Sequence, residues 1–135
     1  RDGLLLTMVH SPGARCYTAT CAAADGAQTN TAMLTIGSGN VIAITRLSIQ
    51  CSNANTVDTD VKVGFASATL ATPSDTGSLD VLHEAKGIPA GGGITIGDGS
   101  GIIGVGEDGE DLRYSCSVPT GGHVSISVTY FSIES

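Results

Sequence analysis

Apolar and polar residues alternate along much of this chain with a period of two, which places one set on each face of a β-strand. Three segments show the alternation clearly, and their apolar sets are Val61, Val63 and Phe65; Leu112, Tyr114, Cys116 and Val118; and Val124, Ile126, Val128 and Tyr130. Residues 4–9, 17–22, 32–36 and 79–82 are weaker strand candidates. The spacing i, i+3, i+4, i+7 of a helix does not persist, so we expect no more than one helical turn, at residues 22–24.

The segment 41–51 is the strongest strand candidate, and its start is apolar on both faces. One face carries Val41, and the other carries Ile42 and Ile44. A sandwich core covers only one face of a strand, so the second face needs another cover. We therefore expect a partner subunit to contact Val41, Ile42 and Ile44.

Glycine dominates residues 87–111, where two short apolar runs at 94–96 and 102–105 lie between Gly-rich breaks. Each interior Gly would destabilise a helix by about 1 kcal/mol. Gly and Asp-Gly pairs instead suit the turns that reverse a chain between antiparallel strands. The segment therefore predicts short strands joined by tight turns.

Taken together, the patterns predict about eight to ten strands with turn signals roughly every 8–12 residues, a spacing typical of a sandwich or barrel. No crossover helix separates the strands, so the sheets should be antiparallel. We predict one all-β domain over residues 1–135, an antiparallel β-sandwich with a jelly-roll-like topology. An immunoglobulin-like sandwich is the alternative, and the absence of Trp disfavours it.

The composition argues against three classes of protein. Apolar residues make up 41% of the 135 residues and charged residues only 14%, which is unlike a disordered chain. The net charge of −7 and the lack of a basic cluster indicate no nucleic-acid partner. No apolar run approaches the roughly 20 residues that span a bilayer, so we expect no membrane association.

Four cysteines allow three disulfide connectivities. Cys51 and Cys116 each share a strand face with large apolar residues, so we expect both to point into the core and to form a disulfide. Cys16 and Cys21 are close in sequence and are expected to pair around a small loop. A four-thiolate zinc site is disfavoured because Cys51 and Cys116 are far apart in sequence. Free buried thiols at both positions are the alternative in a reducing compartment.

Residues 107–111, with the sequence EDGED, place four carboxylates around one glycine. Oxygen ligands on turns can hold Ca²⁺, and Asp98 on a neighbouring turn could join Asp108, Glu110 and Asp111. The spacing is not that of an EF-hand, so we favour a solvated hairpin turn and expect no metal or cofactor.

The three histidines, His10, His83 and His123, lie in unrelated sequence contexts. Neither the G-x-S-x-G motif nor the H-E-x-x-H motif occurs. We therefore assign no catalytic residue and expect no enzymatic activity.

Three glycine-rich passages, at residues 87–93, 97–101 and 106–113, precede a hydroxyl-rich final strand that includes residues 125–132. This pattern, over roughly the last two-thirds of the chain, resembles small virion-surface proteins of tailed bacteriophages. The resemblance implies a non-enzymatic β-sandwich protein that decorates a capsid or forms part of a head fibre or tail-fibre tip. It also implies a homo-oligomer at the virion surface, bound to major capsid or tail proteins, with no catalytic residue.

Two other functions fit the same fold. A carbohydrate-binding or lectin-like module would bind surface glycans and usually needs exposed aromatic residues for stacking. The chain has no Trp, and most of its five aromatic residues have core parity. The five are Tyr17, Phe65, Tyr114, Tyr130 and Phe131. An extracellular adhesin or filament subunit would explain a disulfide framework.

Overall fold

The computed structural model describes residues 15–66 and 80–134. In these ranges the strands are β1 (Arg15–Ala22), β2 (Gln28–Leu34), β3 (Asn40–Cys51), β4 (Thr59–Ala66), β5 (Asp80–Ile88), β6 (Gly93–Ile96), β7 (Gly104–Val105), β8 (Asp111–Cys116) and β9 (His123–Glu134). The turn expected at residues 22–24 is a short 3-10 helix, Ala23–Asp25. No helix in the described ranges is long and apolar enough to cross a membrane. The strand candidate at 4–9 and His10 lie outside the described residues.

The strands form two antiparallel sheets. Sheet I has the order β1-β9-β3-β6, with β7 also paired to β3, and sheet II has the order β2-β8-β4-β5. If β6 and β7 are taken as one interrupted strand, the first strand pairs with the last, the second with the last but one, and so on inward to β4 and β5. The chain is therefore a long wrapped hairpin, which is the jelly-roll topology, and the immunoglobulin-like alternative is wrong.

A single cluster of apolar side chains fills the space between the sheets. The predicted inward residues of β4, β8 and β9 are nearly all in this core, with Val61, Leu112 and Ile126 fully buried. Val118 is an exception, because β8 ends at Cys116 and the Val118 side chain is 41% exposed. In these three strands, period-two alternation therefore located the core correctly as far as each strand extends.

The strand β3 contains a β-bulge that reverses its parity. In its pairing with β9, Ile44 lies opposite Tyr130 and Arg46 lies opposite Thr129, so Thr45 is an extra residue. Ile42 and Ile44 therefore face the core on one side of the bulge, and Leu47 faces it on the other. Both isoleucines are completely buried, so their assignment to a subunit interface is wrong.

The glycine-rich segment forms an interrupted edge strand, which corrects the prediction of hairpins. Both β6 and β7 pair with β3, in the same direction, and the residues between them pass over the bulge. The N–H of Gly99 donates to the Thr45 carbonyl at 3.2 Å, and the N–H of Ile103 donates to the Ile44 carbonyl at 2.7 Å. Gly97 has a φ of +79°, and a Cβ there would collide with the Thr45 carbonyl oxygen. Glycine is therefore required where this segment meets the bulge.

Candidate interaction surfaces

The outer face of sheet I carries a row of hydroxyl side chains that crosses four strands. Thr18 of β1 lies opposite Ser127 of β9, which lies opposite Ser48 of β3, which lies opposite Thr95 of β6. Directly opposed residues of an antiparallel pair point to the same face. The hydroxyls of Ser48 and Thr95 are 3.2 Å apart and share a hydrogen bond.

A second row runs beside the first one, and the two rows make a neutral, hydroxyl-rich area. It contains Thr20 of β1, Ser125 of β9 and Gln50 of β3. We call the area the hydroxyl face and define it by Thr18, Thr20, Ser48, Gln50, Thr95, Ser125 and Ser127. Thr18, Thr20 and Thr95 are exposed.

Beyond the bulge, the same outer face becomes apolar. Val41 lies opposite Ile133, and Ala43 lies between Phe131 and Val105. We call these five residues the apolar end. The side chains of Val105 and Ile133 are 44% and 37% exposed. Of the predicted interface residues, only Val41 belongs to this outward surface.

The outer face of sheet II is charged and largely buried. The Lys62 side chain is only 1% exposed, and its ammonium lies 3.2 Å from a carboxylate oxygen of Glu84. The other oxygen of Glu84 lies 3.6 Å from the ammonium of Lys86, which is exposed. The hydrogen bond from Lys62 is the main reason that the pKa of Glu84 is lowered. Neighbouring Arg113 pairs with Asp111 at 3.1 Å.

The described sheet edges differ in how they are protected. In sheet II, β2 and β5 both contain register shifts, and β5 also carries charged residues. The β6–β7 edge of sheet I consists of strands of four and two residues. By contrast, β1 pairs with β9 without interruption from Arg15 to Ala22, and Arg15 is its only charged residue. Most of its side chains are exposed.

The acidic turn at 107–111 binds backbone groups of a neighbouring loop. Asp108 accepts a hydrogen bond from the N–H of Gly39 at 2.8 Å, and Asp111 accepts one from the N–H of Ile36 at 3.1 Å. Glu110 accepts one from the N–H of Glu107 at 2.7 Å. The carboxylates therefore attach this turn to residues 36–39 and do more than solvate it.

The calcium candidate formed by Asp98, Asp108, Glu110 and Asp111 is not assembled. Asp98 accepts hydrogen bonds from the hydroxyl and the N–H of Ser100, and the hydroxyl is the main cause of its lowered pKa. Over residues 15–66 and 80–134, no three His, Cys, Asp or Glu side chains are grouped to hold a metal ion.

All four cysteines are free thiols, so neither predicted disulfide is present. Cys16 and Cys21 lie five residues apart in the same strand, β1, and point to opposite faces. At about 3.3 Å per residue their Cα atoms are roughly 16 Å apart, too far for a disulfide, so their predicted pairing is wrong. Cys51 and Cys116 do face the core, as expected from their parity.

A feature that the sequence did not reveal is the proximity of the Cys21 and Cys116 thiols in the core, where Cys21 donates to the Gly26 carbonyl at 3.3 Å and Cys116 to the Ser117 carbonyl at 3.0 Å. These two residues belong to opposite sheets, and no spacing in the sequence indicates their contact. Burial raises the pKa of the Cys21, Cys51 and Cys116 thiols, so each is a weak nucleophile at neutral pH.

The remaining candidate residues are dispersed. His83 lies within β5 and His123 begins β9, on different sheets. Phe65 and Tyr114 are core residues, and burial raises the pKa of Tyr114 to about 12. Tyr17, on the edge strand β1, is the most exposed aromatic side chain of the described ranges, at 41%.

The fold defines this chain as a jelly-roll β-sandwich, and solved structures contain similar chains. One belongs to the acidic stable capsid structure of the Helicobacter pylori bacteriophage KHP30. It has a TM-score of 0.56 and 13% sequence identity, covering 94% of this chain and 97% of that one. Another comes from the capsid of Ralstonia phage GP4, with a TM-score of 0.47, 14% identity and coverage of 87% and 81%.

At such identities these likenesses show a shared fold alone. No protein-family model matches the sequence, and no curated protein matches it.

Proposed function

We propose that this chain is a non-enzymatic structural protein of a virion, a capsid decoration or fibre module that docks on the particle as a homo-oligomer. The observation that carries the proposal is the likeness to the KHP30 capsid chain, which extends over 97% of that chain. A jelly roll of this size, without a further domain, therefore occurs as an entire chain in a phage capsid structure.

The surfaces of the sandwich support the same proposal. The apolar end exposes Val105 and Ile133, and the hydroxyl face on the other side of Arg46 is neutral. Apolar and uncharged surface of this kind is what a partner covers in an assembly, which supports the proposal. The chemically reactive groups serve the fold instead: Asp108 and Asp111 bind backbone N–H groups, and three of the four thiols are buried. We assign the apolar end as the face that contacts the particle.

Particle binding tests the proposal, with two matched valines as probes. Val105 on the apolar end and Val57 in the loop between β3 and β4 are both 44% exposed. Virus particles should be purified from the biological source that encodes this sequence. Peptide mass spectrometry should detect the chain in them, and electron micrographs should show antibodies against the chain bound to them. Particles lacking the chain should take up wild-type protein and Val57→Asp, whereas Val105→Asp should bind at least about tenfold more weakly.

Melting curves of both variants control for misfolding. Absence of the chain from washed particles refutes the proposed function. Equal uptake of the two variants places the contact surface elsewhere on the sandwich.

A further inference from the structure

Within the described residues, the edge strand β1 shows none of the features with which proteins protect exposed sheet edges. Such edges are usually short, bulged or charged, because their unpaired N–H and C=O groups can pair with another chain. The edges β2, β5 and β6–β7 each have at least one of these features. β1 has eight residues in unbroken register, no proline, and a charge only at Arg15. Of the edges described, it is therefore the one that can accept another strand.

The occupant that fits this edge best is β1 of a second copy. All of its residues after Arg15 are neutral, so two copies can pair antiparallel without opposing like charges. A twofold axis presents the same edge from both copies, which satisfies the geometry of an isologous dimer. A second copy also has the same pattern of inward and outward side chains.

That pattern selects the register. Odd-numbered residues of β1 face the core side and even-numbered residues face the outer side, so only residues of like parity can lie opposite each other. We choose the register that places Thr18 opposite Thr18 of the second copy. Tyr17 then lies opposite the small side chain of Ala19, and Cys16 lies opposite Thr20.

We infer that two copies of this chain join through their β1 edges in this register and form one continuous sheet. The hydroxyl row of Thr18, Ser127, Ser48 and Thr95 then continues from one copy into the other. The inference deepens the proposed function, because it names the homo-oligomeric contact of the docking module. The apolar end stays free for the particle.

The main test is the mass of the protein in solution, with lysines placed on two edges of sheet I. Thr18→Lys opposes two ammonium groups at the centre of the β1 contact and should raise the dimer dissociation constant at least about tenfold. Thr95→Lys is the matched control, because Thr95 is an exposed threonine on the same face, at the opposite edge. Sedimentation velocity over a concentration series should show dimers for wild type and Thr95→Lys, and monomers for Thr18→Lys.

A second variant tests the register itself. Thr20→Cys places a thiol opposite Cys16 of the second copy, whereas residues 16 and 20 of one strand are roughly 13 Å apart and cannot be bridged. Oxidised glutathione should cross-link two copies by thiol–disulfide exchange, releasing reduced glutathione, and peptide mapping should identify a bond between residues 16 and 20. Thr20→Cys combined with Cys16→Ser should not form this bond.

The inference is overturned by any of three outcomes. These are a monomeric wild-type protein, a Thr18→Lys dimer with unchanged affinity, and a failure of the 16–20 cross-link. These outcomes test the dimer alone, because the proposed function is tested by a different measurement, the uptake of the protein onto particles. A protein that is monomeric but still occupies the particle through Val105 would refute the β1 contact alone. A β1 dimer that is missing from particles would refute the proposed function alone.

Discussion

The two sheets of the sandwich have outer faces of opposite character. On sheet II, the Lys62 ammonium is buried and paired with Glu84, and the edge strands are bulged. On sheet I, the outer face consists of neutral hydroxyls and an apolar end with the exposed Arg46 between them, and the β1 edge is regular and exposed. Burying a charge requires a close partner, so the sheet II face is already internally satisfied. The difference supports the proposal that sheet I, rather than sheet II, is the side that contacts a partner.

The first prediction tests which residues of sheet I point into the core and which point to solvent at the end of the sheet that contains residues 41–44. Ile44→Asp places a charge in the core without a partner and should destabilise the protein by more than about 4 kcal/mol, enough to unfold it. Ile133→Asp, on the outward side of the same end of the sheet, should change the free energy of unfolding by less than about 1 kcal/mol. Circular dichroism and thermal melting distinguish the two. A folded Ile44→Asp protein would contradict the bulge at Thr45.

The second prediction compares two lysines that contact Glu84 on sheet II. Lys62→Ala removes a fully buried aliphatic stem and should lower the free energy of unfolding by about 2 kcal/mol or more. Lys86 is half exposed, and Lys86→Ala should change it by no more than about 0.5 kcal/mol. Urea denaturation measures both. Equal changes in the free energy of unfolding for the two variants would show that the burial of Lys62 does not stabilise the outer face of sheet II.

The third prediction has the smallest effect on stability and separates the two faces of β1. Cys16 is exposed on the outer side, whereas Cys21 is buried on the inner side. A thiol reagent at neutral pH should label Cys16 rapidly in the native protein and the other three cysteines only after unfolding, because burial also raises their pKa values.

Cys16→Ser should remove the rapid phase without changing the melting temperature. Recovery of a Cys51–Cys116 or Cys16–Cys21 disulfide peptide from the native protein would contradict the free-thiol arrangement.

The sequence was sufficient to predict the sandwich, because strands such as β4 and β9 alternate without interruption and their inward residues form the core. It was not sufficient for β3, where residues 41–44 are apolar on both faces. A one-residue bulge inverts the parity after Ile44, and local alternation cannot show where such an insertion occurs. The interface assigned to Ile42 and Ile44 failed for this reason.

The candidate sites were less predictable because they depend on contacts between distant segments. The carboxylates of Asp108 and Asp111 bind N–H groups about 70 residues earlier in the chain. The contact of Cys21 with Cys116 joins opposite sheets, whereas closeness in sequence suggested Cys16 as the partner. The hydroxyl row has a member on each of four strands and becomes visible only when their register is known.

The central position of β9 makes the closure of sheet I dependent on the synthesis of residues 123–134. β9 lies between β1 and β3, so residues 15–22 and 40–51 remain without their main partner until residues 123–134 have been synthesised. Pairing between such distant segments is slow compared with local folding. A nascent chain that lacks residues 123–134 therefore cannot present a finished β1 edge, and the proposed pairing of two copies has to follow the closure of sheet I.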